Sequence, residues 1–136
     1  MHFLLVFLLL PGLAVAQPRP FTCVGAEKLE DDVFAIPFGR GAAALGQAAE
    51  TNLSAAAARA KQAPDRMLCV LGHVGPQEGG AQAGSQLAAR RAGAVAMALA
   101  RLGVERDRIR AEARRAAFAR SAAPAERSVT VVLLPP

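Results

Sequence analysis

The 136-residue chain contains no tryptophan and no tyrosine, and aromatic residues make up only 4% of it. Proteins that bind single-stranded nucleic acid stack the bases on aromatic rings, and this sequence is poorly supplied with such platforms. Nucleic acid is therefore excluded from the expected partners, and the export signal described below points the same way.

Histidine and cysteine are almost as scarce, which excludes most metal sites and catalytic centres. Only one histidine, His73, lies beyond the first 16 residues, and the two cysteines are far apart. This set falls short of a zinc site, and no serine or cysteine is accompanied by the base that a nucleophile needs. Gly79 and Gly80 lack the Lys-Ser/Thr ending of a phosphate-binding loop. We therefore expect no metal, no cofactor and no enzyme activity.

A long apolar run opens the chain at residues 1–16 and ends in small alanines. The pattern is typical of a secretory signal peptide cleaved before Gln17, and the run is too short to span a membrane in the mature chain. Because no cysteine directly follows the cleavage site, we do not expect a lipoprotein anchor. Export favours a disulfide between Cys23 and Cys69, with two separate buried thiols as the alternative.

Cleavage leaves residues 17–136, which is the length of one domain. We expect an irregular segment over residues 17–32 and the folded domain over residues 33–136. The net charge of +5 is unevenly placed, because residues 17–65 carry five basic and six acidic side chains whereas residues 66–136 carry eleven and five. The basic half either faces an anionic partner or is the solvated surface of an arginine-rich chain.

Hydrophobic periodicity predicts alternating strands and helices. The predicted strands cover residues 33–38, 67–73, 108–113 and 128–134, and the predicted helices cover residues 42–61 and 85–102. Pro37 favours an edge strand, whereas the continuous apolar run at 67–73 favours a central one. Gly103 is suited to end the second helix. This order predicts an α+β fold with two helices on a mixed sheet, in which the last two strands can form an antiparallel pair.

A cation interrupts the apolar stripe of the second predicted helix. Leu87, Val95 and Leu99 recur at the spacing of a core face, and Arg91 falls within the same arc. Burying a guanidinium without acceptors costs several kcal/mol, so Arg91 requires an anionic partner, a ligand or access to water. The glycine-rich loop before this helix contains one acid, Glu78.

Short motifs occur along the chain in a specific order and spacing. They are IPFGRGAAAL at 36–45, Gly72-His73, the helical set Leu87, Arg91, Ala92 and Val95, the turn set Gly103, Val104, Arg108 and Ile109, and finally Arg127 and Val129. Together they resemble the OmpA-like domain, the periplasmic peptidoglycan-binding module also found in Pal lipoproteins and flagellar motor stators. The resemblance implies a two-layer β-α-β-α-β-β sandwich in the periplasm of a Gram-negative-type envelope, with association with the outer membrane as an option.

The resemblance also implies a ligand site. In this family an arginine and an aspartate grip the diaminopimelate residue of the peptidoglycan stem peptide, and Arg91 matches the arginine, whose fork suits a carboxylate. The aspartate is missing, because Val74 and Gly75 stand where the family has Thr-Asp. Glu78 either replaces that aspartate or pairs with Arg91 within the chain.

We therefore expect a degenerate ligand site made of Arg91, Gly75 and Glu78, with Arg127 flanking it by family analogy. Two functions are compatible with such a site. One is noncovalent binding of the peptidoglycan stem peptide. The other is a divergent periplasmic domain that has lost wall binding and contacts an envelope protein through its basic half. The sequence leaves open the choice between them, the protein partner and the oligomeric state.

Overall fold

The computed structural model describes residue 12, residues 19–114 and residues 127–136. The predicted signal peptide, residues 1–16, therefore lies outside the described residues except for Gly12. The regular elements are β1 (Val33–Pro37), α1 (Glu50–Gln62), β2 (Leu68–Gly72), α2 (Ala81–Arg101), β3 (Ile109–Ala113) and β4 (Ser128–Leu133), together with short 3-10 turns at Ala26–Lys28, Gln47–Ala49 and Arg106–Arg108. The predicted α+β fold, with two helices packed on a mixed sheet, is confirmed.

The four strands lie in the order β1-β4-β2-β3. β2 pairs with β3 in parallel, whereas β4 runs antiparallel to both of its neighbours, β1 and β2. The expectation that the last two strands pair with each other is therefore wrong. All six residues of β4 are buried, which suits an interior strand, whereas β3 carries Arg110 and Glu112 and suits an edge. Pro37 ends the edge strand β1, as its missing N–H predicts.

Apolar side chains fill both faces of the sheet. On one face, Val70 and Val131 pack with Val95 and Leu99 of α2 and with the alanines of α1. The opposite face is covered by the segment that precedes β1, which is held there by a disulfide between Cys23 and Cys69 with Cα atoms 5.7 Å apart. The central position predicted for β2 is thus confirmed. Within the described part of the chain, no helix has both the length and the apolar character needed to cross a bilayer.

Both helices begin at residues other than those predicted. α1 begins at Glu50 instead of residue 42, because Gly41 takes a left-handed conformation (φ 67°) and residues 39–46 form a loop. α2 begins at Ala81 instead of residue 85, so the helix includes Gly84. Val74 packs against Gly84, where a side chain on the helix would otherwise need space. The end of α2 agrees with the prediction, since Gly103 is left-handed (φ 101°).

Candidate functional site

The site forms where β2, α2 and the loop after β1 meet. Gly72 ends β2, and a Cβ atom at this residue would lie 2.0 Å from the carbonyl oxygen of Ala88. Only glycine therefore allows the backbone of α2 to approach β2 so closely. Arg91 follows Ala88 by about one helical turn, so this contact directs the arginine at the loops that follow β1 and β2.

Arg91 is completely buried (0% exposed), and each N–H group of its guanidinium has an acceptor. Nε donates to the carbonyl of Ala42 at 2.7 Å, and Nη2 donates to the carbonyl of Gly39 at 3.1 Å. Nη1 donates to the carbonyl of His73, also at 3.1 Å. The two remaining donors point to Glu78. The hydrogen-bond acceptors and the negative charge that a buried guanidinium needs are thus all supplied by this chain.

The Glu78 carboxylate forms a bidentate pair with the Arg91 guanidinium. Its Oε1 accepts from Nη1 of Arg91 at 3.1 Å, and its Oε2 accepts from Nη2 at 2.5 Å. The same oxygens accept the backbone N–H groups of Gly75 at 3.0 Å and Gly41 at 2.8 Å. The Glu78 side chain is 3% exposed. The hydrogen bonds from Arg91, aided by those from the two amides and opposed by desolvation, lower the pKa of Glu78 to about 2, so the carboxylate is ionised at neutral pH.

His73 supports the site through its backbone and is a neutral core residue. Its N–H donates to the carbonyl of Ser128 at 3.0 Å, and its Nε2 lies 3.2 Å from Oγ1 of Thr130. Burial, with the nearby charge of Arg114, lowers the pKa of His73 to about 4. The imidazole is therefore uncharged at neutral pH and adds no cation to the site.

The structure brings together three of the four predicted ligand residues: Arg91, Glu78 and Gly75. Arg127 contributes differently, because its exposed side chain has no ion-pair or hydrogen-bond partner among the described residues. Its backbone carbonyl accepts the N–H of Phe38 at 2.7 Å. The Phe38 ring centroid lies 5.6 Å from Cζ of Arg91, which places an aromatic ring against the guanidinium.

The loop after β1 supplies backbone partners to both Arg91 and Glu78 and was not predicted from the sequence. It provides two carbonyl acceptors, from Gly39 and Ala42, and one amide donor, from Gly41. The alanine-rich segment that follows favours a helix starting at residue 42, which conceals the loop. The available signal was the pair of glycines at 39 and 41, since the second of them takes a positive φ.

Val74 and Gly84 pack against each other beside the site. Cγ2 of Val74, which stands where the resemblance implies a threonine, lies 3.2 Å from the position that a Cβ on Gly84 would take. Beyond this contact, an open pocket of about 670 Å³ is lined by Gly75, Pro76, Ser85 and Arg114 among others, and none of the described residues lining it is acidic. The chemistry of the missing aspartate is thus not replaced in this pocket.

Comparisons with known proteins agree with this architecture. A sequence profile of the OmpA family matches residues 37–130. None of the curated proteins compared with the chain matches it. The peptidoglycan-associated lipoprotein of Burkholderia pseudomallei is 22% identical with a TM-score of 0.63, and the match covers 74% of this chain and 90% of that one.

Two further solved structures are similar at lower identity. The OmpA-like domain of FopA1 from Francisella tularensis is 16% identical in sequence with a TM-score of 0.65, and the match covers 78% of this chain and 79% of that one. The periplasmic domain of Helicobacter pylori MotB is 15% identical with a TM-score of 0.62, and the match covers 74% of this chain and 72% of that one. At these identities the similarity establishes the fold.

Proposed function

The chain belongs to the OmpA family, and on that basis we propose that it is a non-catalytic binding module of the cell envelope whose stem-peptide site is closed by its own Glu78. In this proposal residues 1–16 direct export to the periplasm, residues 17–32 lead into the domain, and residues 33–136 form it. The module then contacts an envelope protein instead of gripping the peptide stem.

The ion pair between Arg91 and Glu78 carries this proposal. The family resemblance gives the arginine the task of binding a diaminopimelate carboxylate, and Glu78 offers the same chemical group from within the chain at 2.5 Å. A ligand carboxylate would have to displace this buried partner and take over the hydrogen bonds that it accepts from Arg91, Gly75 and Gly41. The free energy needed to move Glu78 out of the site is subtracted from the affinity for the ligand.

The missing aspartate supports the same conclusion. Recognition of an amino-acid zwitterion needs an acceptor for its nitrogen-bound hydrogens as well as a donor for its carboxylate. Gly75 occupies the aspartate position, and the carboxylate beside it, that of Glu78, accepts the Gly75 N–H and is held by Arg91. Even with Glu78 displaced, the remaining arginine would distinguish poorly between diaminopimelate and any simple anion.

Residual peptidoglycan binding is the competing function, and one observation favours it. Glu78 lies on a loop with glycine at 75, 79 and 80, and Gly79 has a φ of 108°. Such a loop has the conformational freedom to carry Glu78 away from Arg91 and to leave the guanidinium open to a stem-peptide carboxylate.

Co-sedimentation with purified peptidoglycan separates the two functions. We expect the mature chain to stay in the supernatant at physiological salt, and a Gly75→Asp/Glu78→Ala variant, which restores the family acid and frees Arg91, to sediment until free diaminopimelate is added. Arg90→Ala, which removes an exposed cation beside Arg91, controls for charge attraction to the wall. Sedimentation of the wild type that free diaminopimelate abolishes would overturn the proposal.

A further inference from the structure

β3 forms an edge of the sheet as the described residues build it. The N–H of Arg114 donates to the carbonyl of Gly72 at 2.9 Å, which fixes the register of the β2–β3 ladder. Because successive residues of a strand direct their backbone groups to opposite sides, Ile109, Ala111 and Ala113 present N–H and C=O groups away from β2. Within residues 19–114 and 127–136, no strand pairs with these groups.

An apolar groove runs beside this edge. It has a volume of about 190 Å³ between α2 and β3, and its apolar lining is formed by Ala96, Met97, Ala100, Ile109 and Ala111. Met97 is 51% exposed, although it is one of the largest apolar side chains on α2. The alanines keep the groove open, so a strand lying along β3 can place alternate side chains in it.

The amino-terminal end of the edge is positively charged. Arg106 lines the groove, and Arg101 lies in the last turn of α2. In the described part of the chain neither has an acidic partner, because Glu105 and Asp107 are both paired with Arg19. A complementary segment would therefore carry an acidic side chain at this end.

We propose that the β3 edge receives an extended, acidic peptide segment of an envelope protein. The segment adds a strand to β3, places small apolar side chains in the groove and sets a carboxylate against Arg106. This inference rests on the proposed function and names the kind of partner that the module takes. Main-chain hydrogen bonds to the outward groups supply affinity, and the alternate side chains supply specificity.

Charge complementarity at one end of the edge favours an acidic segment as the occupant. Arg114, beyond the other end of β3, is already paired with Glu112 and Glu27. The exposed cations near β3 without an acidic partner among the described residues are therefore Arg101 and Arg106, and an acidic segment meets this end of the edge with favourable contacts at Arg106.

Titration of the mature, oxidised chain with synthetic peptides tests the inference. The probe is an eight-residue peptide with blocked ends, valine at alternate positions and glutamate at both ends; the matched control peptide has lysine for glutamate. We expect amide chemical-shift changes concentrated at Ile109, Ala111 and Ala113, and affinity for the glutamate peptide about threefold or more above that for the lysine peptide.

Ala111→Pro is the decisive variant. It removes an N–H that points away from β2, so the ladder within the domain is preserved while strand addition is blocked. We expect binding to weaken at least about tenfold, the effect of losing one or two well-formed hydrogen bonds. Arg106→Glu should abolish the preference for the glutamate peptide, and Arg40→Glu, the same charge change in the loop after β1, should not.

The outcomes are distinct. No shift changes along β3, or equal binding by wild type and a folded Ala111→Pro variant, would overturn the inference. A concentration-dependent dimer that Ala111→Pro abolishes would assign the edge to a second copy and would also overturn it. Peptidoglycan co-sedimentation judges the proposed function separately: a chain that neither sediments nor binds the peptide refutes the edge alone, whereas diaminopimelate-sensitive sedimentation refutes the proposed function.

Discussion

Replacement of Glu78 by alanine should destabilise the domain by about 3–5 kcal/mol, because it leaves the Arg91 guanidinium buried without its counter-ion. The exposures of the two side chains, 0% for Arg91 and 3% for Glu78, place the pair among fully desolvated ones. The amides of Gly41 and Gly75 lose their acceptor as well. Since domains are stable by about 5–15 kcal/mol in total, the loss is a large fraction of the stability.

Urea unfolding followed by circular dichroism measures this loss, and acetate provides a second test of it. The variant has a carboxylate-sized space facing Arg91, so acetate should bind the folded state and restore about 1.4 kcal/mol at ten times its dissociation constant. Chloride at the same ionic strength is the reference salt. Glu105→Ala is the matched variant, because its pair with Arg19 has side chains 55% and 45% exposed and is worth at most about 1 kcal/mol.

If Glu78→Ala destabilises the domain no more than Glu105→Ala does, the pair is not desolvated and Glu78 does not close the site. Equal effects of acetate and chloride would show that the guanidinium does not select a carboxylate.

Further predictions concern packing, the disulfide and pH. Gly72→Ala should cost more than about 3 kcal/mol in urea unfolding, because its Cβ would lie 2.0 Å from the oxygen of Ala88. Gly93→Ala, where a Cβ meets nothing within 4 Å, should instead gain about 0.5–1 kcal/mol. Reduction of the disulfide, whose cysteines are separated by 46 positions, should lower stability by about 4 kcal/mol, measurable by unfolding with and without reductant. The lowered pKa of His73 means that the folded state resists protonation, so about 3 kcal/mol of stability should be lost as pH falls from 6.5 to about 4, and His73→Gln should flatten this part of the profile.

Much of the fold is predictable because burial imposes local patterns on the sequence. The apolar run of β2 indicated a strand covered on both faces, and Pro37 indicated an edge. The arginine within an apolar stripe indicated a buried cation, which Arg91 is. Each of these features depends on neighbours along the chain, and such dependence is visible in sequence periodicity.

The rest depends on contacts between distant segments. Strand order could not be deduced, because chain-adjacent strands often pair, and here β4 inserts between β1 and β2 to be buried on both sides. The acceptors of Arg91 are mostly carbonyl groups, which any residue can supply. Arg108 illustrates the same limit: it is 1% exposed, and its guanidinium donates to the carbonyls of Ala60 and Ala63 at the end of α1.

The disulfide between the leading segment and β2 has a consequence for how the protein matures. The cover over the second face of the sheet is fastened covalently only where thiols are oxidised. For a chain exported as we propose, the newly made, reduced polypeptide lacks this fastening and is easier to keep unfolded for passage across the inner membrane. Oxidation after translocation then stabilises the folded state, so the chain becomes most stable only in the compartment that it is exported to.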